Sequence, residues 1–496
     1  MGPMVDSHLA ILAGISLSFV AVKALRWFIK KRQNIPSLPP GPMPFPLLGN
    51  VLSIDTKKPW LTYTEWRAVY GDLIFVQILD QEVVVINSQH IAQALLDNRS
   101  RIYSDRPYLA TLKPYGWLVS FAFIGYNDEW RLCRRLFHQT FRPKSVVRFR
   151  QMQIRRARDM VANLVSDPQH YHSHFATFSS SVAMSTVYGY DTSTRNDPLV
   201  EIVINAMTGL AMLTPERAIM LKAFPFLLNV PDWCWGSSIK RSAQASSKHV
   251  NEMVNVPFQH AREHMADSSQ SSMVGENLRR MEMQDEASKP MFETSLKKAA
   301  TTAIVGSYET MTSTLMAFTL AMVLYPDVQK RAQAEIDSVI GRDRLPMFED
   351  RASLPYIDAI LRETFRWAPA VPLGVPHATS SADLYDGYFI PKGATVVCNT
   401  WGISRDEKRY PQASHFIPDR FIDVNGLLTD DDPAEYIFGL GRRICPGRYA
   451  ADTSLWSAIA TMLATVDISS AKDDQGKTID FTAKFMVGVV RYLASP

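Results

Sequence analysis

Residues 438–447 read FGLGRRICPG, and few backbone paths can accommodate them. Gly441 and Gly447 permit a tight turn and close backbone approach. Pro446 has no N–H to donate but suits the first turn of a helix, so a helix N-terminus is expected just after Cys445. The positive end of that helix, with Arg442 and Arg443 beside it, predicts a lowered thiol pKa, the state in which sulfur ligates a metal. The four cysteines, Cys133, Cys234, Cys398 and Cys445, are far apart and unpaired in spacing. Neither a disulfide framework nor a zinc finger is expected from them. A lone cysteine is more often a small buried hydrophobe. Burial alone, however, would demand neither the glycines nor the arginines.

The rest of the chain predicts what holds this turn. LIFVQILDQEVVVINS at 73–88 reads as two strands around an Asp-Gln-Glu turn. From about 89 to 370 the apolar residues recur at helical spacing, as in SVVRFRQMQIRRARDMVANLVS and SLKKAATTAIVGSYETMTSTLMAFTLAMVL. The Ser-, Gln- and Met-rich stretch 266–290 reads as an exposed connection. After Trp367, short strands such as GYFIPKG and TVVCNT precede a last helix starting near Gly447. The expected fold is one large, mainly α domain with a small β part.

Two segments precede that body. Leu9 to Val22 is an uncharged apolar run, and with Lys23 and Arg26 snorkelling the stretch to Ile29 is long enough to cross a bilayer. Its basic residues follow rather than precede it, unlike a cleaved signal peptide. The positive-inside rule then puts the N-terminus in the lumen and the body in the cytosol. Residues 1–32 are therefore expected to be a transmembrane anchor, 33–50 a hinge with six prolines, and 51–496 the catalytic domain. A formal charge of +4 over 496 residues gives no sign of a nucleic-acid binder.

FGLGRRICPG matches the pattern FxxGxRxCxG at Phe438, Gly441, Arg443, Cys445 and Gly447. In this the chain resembles the cytochrome P450 haem-thiolate enzymes, and the resemblance spans roughly 36 to 490. It implies the cytochrome P450 fold, haem b as cofactor and Cys445 as the axial ligand of its iron, with Phe438 beside the sulfur. Thiolate ligation donates electron density to iron and favours O–O cleavage. RETFRW and FIPDRF supply Glu363, Arg366 and Arg420, which the resemblance makes a structural clamp behind the cysteine loop. On residue grounds alone, Glu363 and Arg366 would be an ordinary helix pair. WRLCRR supplies Trp130 and Arg134, and PLGVPH supplies His377. By resemblance these, with Arg443, face the haem propionates.

VGSYETMTS places Gly306, Ser307, Glu309 and Thr310 where relatives break the long helix over the iron. Thr310 beside Glu309 would order water and deliver protons as dioxygen is cleaved. Read without the cysteine loop, the pair would be a back-bonded pair in an amphipathic helix. Tyr308 departs from the family's usual small residue and is expected to narrow the pocket. The chain also stops at RYLASP, where relatives continue through one more strand.

The neighbourhoods RIYSDRP, RRLFHQTF and GRYAAD look most like fungal microsomal members that tailor secondary metabolites. The resemblance thus implies a monooxygenase of the endoplasmic reticulum membrane acting on a lipophilic molecule such as a terpenoid. Its electrons would come from NADPH-cytochrome P450 reductase, with cytochrome b5 an accessory donor, docking at Arg131, Arg135, Arg442 and Arg448. The pocket would be drawn from 110–123, 206–221, the Gly306 region, 371–375 and 485–487, which are largely apolar. A haem-thiolate isomerase or dehydratase needing no dioxygen, and a non-catalytic haem protein, are the competing readings. Glu309 and Thr310 weigh against both.

Overall fold

The computed structural model describes residues 36–234, 236–264, 271–473, 475–479, 483–486 and 491–494. The anchor expected within 1–32 lies outside the described residues. Among those described, no single helix is long and apolar enough to cross a membrane.

The major helices are α1 Pro59–Tyr70, α2 Asp128–Phe141, α3 Arg150–Ser166, α4 Tyr171–Tyr188, α5 Pro198–Leu210 and α6 Pro215–Ala223. They continue with α7 Ser237–Glu263, α8 Met273–Glu282, α9 Lys289–Leu324, α10 Pro326–Val339, α11 Pro355–Trp367 and α12 Arg448–Thr465. Proline opens several of them, as expected for a residue with φ preset for the first turn. Helix α9 runs through the middle, packing on α4, α2 and α12, and most of its length is buried.

The hairpin forms as β1 Leu73–Ile78 and β2 Gln81–Ile86. Its turn falls one residue earlier than the sequence implied, with Leu79 at φ 53°. Four further strands follow: β3 His377–Ala378, β4 Asp383–Tyr385, β5 Tyr388–Ile390 and β6 Thr395–Cys398. Strand β6 pairs parallel to β2 and antiparallel to β3, giving a sheet ordered β1-β2-β6-β3. Separate hairpins join β4 to β5, and β7 Ala483–Met486 to β8 Arg491–Ala494. RYLA of the terminal RYLASP is thus a paired strand.

Two local readings change. The proline-rich segment lies along the edge of β1: Phe75 N–H donates to Pro40 O (2.9 Å) and Asn50 N–H to Gln77 O (2.6 Å). A Cβ on Gly41 would fall 1.9 Å from Phe75 O, so the fit needs glycine there. The stretch read as an exposed connection contains α8, with Met273, Val274, Asn277 and Leu278 buried on one face. Its serines misled: Ser272 is the N-cap, its Oγ accepting from Gly275 N–H at 3.2 Å.

Candidate active site

The cysteine turn is closed by its own backbone. Cys445 N–H donates to Phe438 O (2.7 Å) and Ile444 N–H to Gly441 O (3.2 Å). Gly441 has φ 60°, and a Cβ on it would lie 2.0 Å from Leu96 O, so two constraints require glycine. Gly447 is different. It has an ordinary φ of −91°, and a Cβ there would meet only Cys445 Sγ and Phe137 Cζ, each at 3.9 Å. No protein atom demands glycine at 447; its added atom would stand beside the sulfur. Helix α12 begins at Arg448, as the proline predicted.

The electrostatics differ from expectation. Burial pushes the Cys445 thiol above its ordinary pKa, against opposing help from the Gly447 and Arg448 backbone N–H groups and from the charges of Arg134 and Arg448. Neither Arg442 nor Arg443 serves the sulfur. Arg442 donates to Tyr126 Oη at 3.1 Å. Arg443 donates to Ser104 O (2.7 Å) and Ile124 O (2.9 Å), and lies 4.5 Å over the Trp130 ring.

Arg443 belongs instead to a cationic cluster. Arg134 Nη1 donates to Ile444 O at 2.6 Å. His377 Nδ1 contacts Tyr103 O at 2.7 Å; a carbonyl only accepts, so the proton is on Nδ1. Arg106 donates to Ala122 O, Val375 O and Pro376 O. These hydrogen-bond partners are carbonyls, and the Asp105 carboxylate offsets the charge of Arg106 and Arg443 only in part. Burial lowers the pKa of Arg134 and of Arg443 to about 10 each, and that of His377 to about 3, with Arg106 and Arg443 adding to the last. Burial and then Arg443 also hold Arg106 well below its usual range. Arg106 was missed in the sequence, where RIYSDRP was noted without a role for it.

Haem b carries two carboxylates and a metal cation, and the donor set fits both. The buried Nη1 of Arg443 has no hydrogen-bond partner, and the guanidinium groups of Arg106, Arg134 and Arg443 outnumber the nearby carboxylate of Asp105. A metal cation beside Cys445 would stabilise the thiolate that burial opposes. Trp130, buried on α2, packs 6.4 Å from Phe121 and supports the Arg443 face.

Behind the turn, Glu363 and Arg366 are completely buried on α11. Glu363 accepts from Arg366 Nε and Nη2 (2.7 Å each), Arg420 Nε (3.3 Å) and Ile417 N–H (2.7 Å). Arg366 also donates to the carbonyls of Ser404, Ala413 and His415. The Phe365 ring meets Phe438 edge-on at 5.3 Å, linking this clamp to the cysteine turn.

On the other side, α9 runs unbroken through Gly306 and Thr310, where the resemblance implied a break. Thr310 Oγ1 donates to Gly306 O (2.6 Å), Thr312 Oγ1 to Tyr308 O (2.6 Å) and Thr314 Oγ1 to Thr310 O (2.8 Å). Such back-bonds distort a helix without interrupting it. Gly306 faces open space and Glu309 is buried. Ser307 turns to Ser179 O at 3.2 Å. Tyr308 is two residues from both Gly306 and Thr310, so it sits on roughly the opposite side of the helix. There it packs against the apolar cluster that also holds Leu112, Phe121 and Ala206.

The expected pocket segments 110–123 and 206–221 do meet, in the cluster that holds Leu112, Phe121, Ala206 and Met207. In 371–375, Val371 and Pro372 carbonyls accept from Thr400 Oγ1, and Val375 is partly exposed. Val487 of the last segment lies outside the described residues. A separate groove of about 420 Å³ beside Arg148, Arg155 and Ser185 contains none of these residues and plays no part in the site.

Comparison with known proteins agrees with this geometry. The family model described as cytochrome P450 matches residues 39–494. Cytochrome P450 monooxygenase 136 of Postia placenta is 33% identical over 97% of this chain and 91% of its own length. Cytochrome P450 monooxygenase claR of Ampulloclitocybe clavipes is 35% identical over 96% and 88%. Cytochrome P450 monooxygenase COX2 of Coprinopsis cinerea is 36% identical over 89% and 84%. The chain belongs to the cytochrome P450 family, and it is a haem-thiolate monooxygenase like these fungal relatives.

Proposed function

We propose that this cytochrome P450 oxidises a lipophilic fungal secondary metabolite, of which a terpenoid is the leading class, with electrons from NADPH. The observation that carries the reading is the stripe of α9 where Gly306 faces open space with Thr310 one turn on and apolar walls nearby. Haem, when bound, would be held by Cys445 and the cationic cluster and would supply dioxygen activation, to which the Cys445 thiolate would contribute electron density. The chain's own residues do the rest. Thr310 keeps its proton on Gly306 O, so its oxygen lone pairs can accept a hydrogen bond from a water. Glu309, buried one residue away, is the acid from which that water is resupplied. The apolar walls exclude bulk water and favour a poorly soluble substrate over a charged one.

The same reading covers partners and location. Arg131, Arg135 and Arg442 are exposed near the cysteine turn and offer an acidic reductase, or cytochrome b5, a docking surface. Arg448 is excluded from it, being half-buried and bonded to Cys445 O at 3.1 Å. On another face Met43 (88% exposed), Leu47 (74%) and Trp233 (86%) stand out with Phe226. Lys222 Nζ on α6 meets Asp80 Oδ1 at 2.6 Å, which joins this region to the β1–β2 turn. Such an apolar surface beside the proline-rich segment suits a body resting on the endoplasmic reticulum membrane to which residues 1–32 anchor it.

The test is co-expression with a reductase in cells fed terpenoid and other lipophilic scaffolds, read by mass spectrometry. Products heavier by one oxygen atom support the reading. Rearranged or dehydrated products without added oxygen would replace it with the isomerase class.

A further inference from the structure

Thr302 lies on α9 one turn before Gly306 and two before Thr310, so the three share a stripe of the helix. Its hydroxyl donates to Lys298 O at 2.7 Å. With that proton committed, both lone pairs remain to accept, and both are used. Phe121 N–H lies 2.9 Å away and Ser120 Oγ 3.1 Å away, so Ser120 must be the donor in the second contact. Ser120 and Phe121 are themselves almost fully buried.

The segment gripped this way runs from Trp117 to Ile124 and is otherwise irregular apart from one short 3-10 turn. It is held at its far end too. Ala122 O accepts from Arg106 Nε (2.8 Å) and Ile124 O from Arg443 Nη2 (2.9 Å). Those two arginines belong to the cationic cluster. The segment therefore spans from the cationic cluster to the central helix, and Thr302 fastens it to α9 by hydrogen bonds.

We propose that Thr302 is a positioning residue: by strapping the 117–124 segment to α9 it sets the pocket wall beside Gly306 and so determines which ligand shapes are admitted. The proposal rests on the reading of the Gly306 side as the substrate side. Thr302 touches no reacting atom in this role and acts only through the segment it holds.

The experiment uses the haem-loaded protein and needs no knowledge of the substrate. Hydrogen–deuterium exchange is followed over 117–124, and imidazole and 4-phenylimidazole are titrated by the haem absorbance shift. Thr302→Val keeps the shape but removes the acceptor, leaving Phe121 N–H and Ser120 O–H unpaired. It should speed exchange at Phe121 about tenfold and change the ratio of the two azole affinities about threefold. Thr302→Ser should restore both to the wild-type values, which a merely space-filling role would not predict. Unchanged exchange and an unchanged ratio in Thr302→Val overturn the strap. If that variant loses protection throughout, Ser120→Ala decides: faster exchange confined to 117–124 supports the strap, and none overturns it. Failure of both azoles to shift the wild-type spectrum would instead overturn the substrate-side reading, with the exchange data still judging the strap.

Discussion

Replacing Glu363 by glutamine keeps the side chain's shape and removes its charge, and the consequences can be worked out atom by atom. Glu363 has no solvent exposure, and three of the four hydrogen bonds it accepts converge on Oε1. An amide oxygen at Oε1 could keep those. The amide nitrogen would then face Arg366 Nε, which now donates to Oε2 at 2.7 Å, putting donor against donor. Arg366, equally buried, would lose its carboxylate partner while still tied to three carbonyls. Stranding one partner of a buried ion pair costs about 3–5 kcal/mol. Against a total of about 5–15 kcal/mol that is about a fifth or more of the folding free energy. Arg420→Gln should cost less, because Arg420 makes the longer 3.3 Å contact and keeps 11% of its side chain exposed. The assay is urea unfolding of the haem-loaded proteins, followed by far-UV circular dichroism and haem absorbance. The midpoint should fall in the order wild type, Arg420→Gln, Glu363→Gln, with haem released in step with unfolding. A Glu363→Gln protein with a wild-type midpoint would refute the clamp as a source of stability.

Gly441→Ala should abolish haem incorporation, since a left-handed alanine costs about 1–2 kcal/mol and its Cβ would overlap Leu96 O at 2.0 Å; haem content per polypeptide measures it. Gly447→Ala should fold, because its backbone and protein neighbours accept a Cβ, but should perturb the absorbance of the bound haem. Cys445→Ser should lose the red-shifted band of the reduced carbon monoxide complex, and its persistence would reassign the ligand. Thr310→Ala should consume NADPH without matching product, whereas unchanged coupling would remove Thr310 from proton delivery. In haem-free protein, His377 titrates near 3 when folded and about 6.5 when unfolded. The unfolded chain then binds more protons between these values, so stability falls as pH drops through that window, by about 1.4 kcal/mol per pH unit for this one group. His377→Asn should flatten the dependence between pH 5 and 6.5.

How much of this could be read from the chain depended on whether the information was local. The FGLGRRICPG turn was legible because glycine and proline restrict the backbone at their own positions, and α12 begins where Pro446 implied. The hairpin and the long helices were legible from apolar periodicity. Helix α8 was not, because a serine N-cap and a linker have similar composition. Arg106 carried no signal of its own: it matters because folding buries it among carbonyls beside Arg443, where burial outweighs the opposing charge of Asp105.

The amino-acid sequence by itself determined the chemical class. The FGLGRRICPG pattern, by its resemblance to the haem-thiolate family, carried that class, and Glu309 beside Thr310 in a helix-rich, apolar body agreed with it. Tertiary structure alone decided which charges act on what. Arg442 and Arg443 adjoin Cys445 in sequence yet serve Tyr126 and the loop carbonyls, while Arg134, distant in sequence, reaches the turn through Ile444 O. Electrostatic influence depends on distance and burial, which are set when α2, α9, α11 and α12 pack together. That packing also brought Thr302 to Ser120 and Phe121 across 182 and 181 positions of chain, a contact no local pattern encodes.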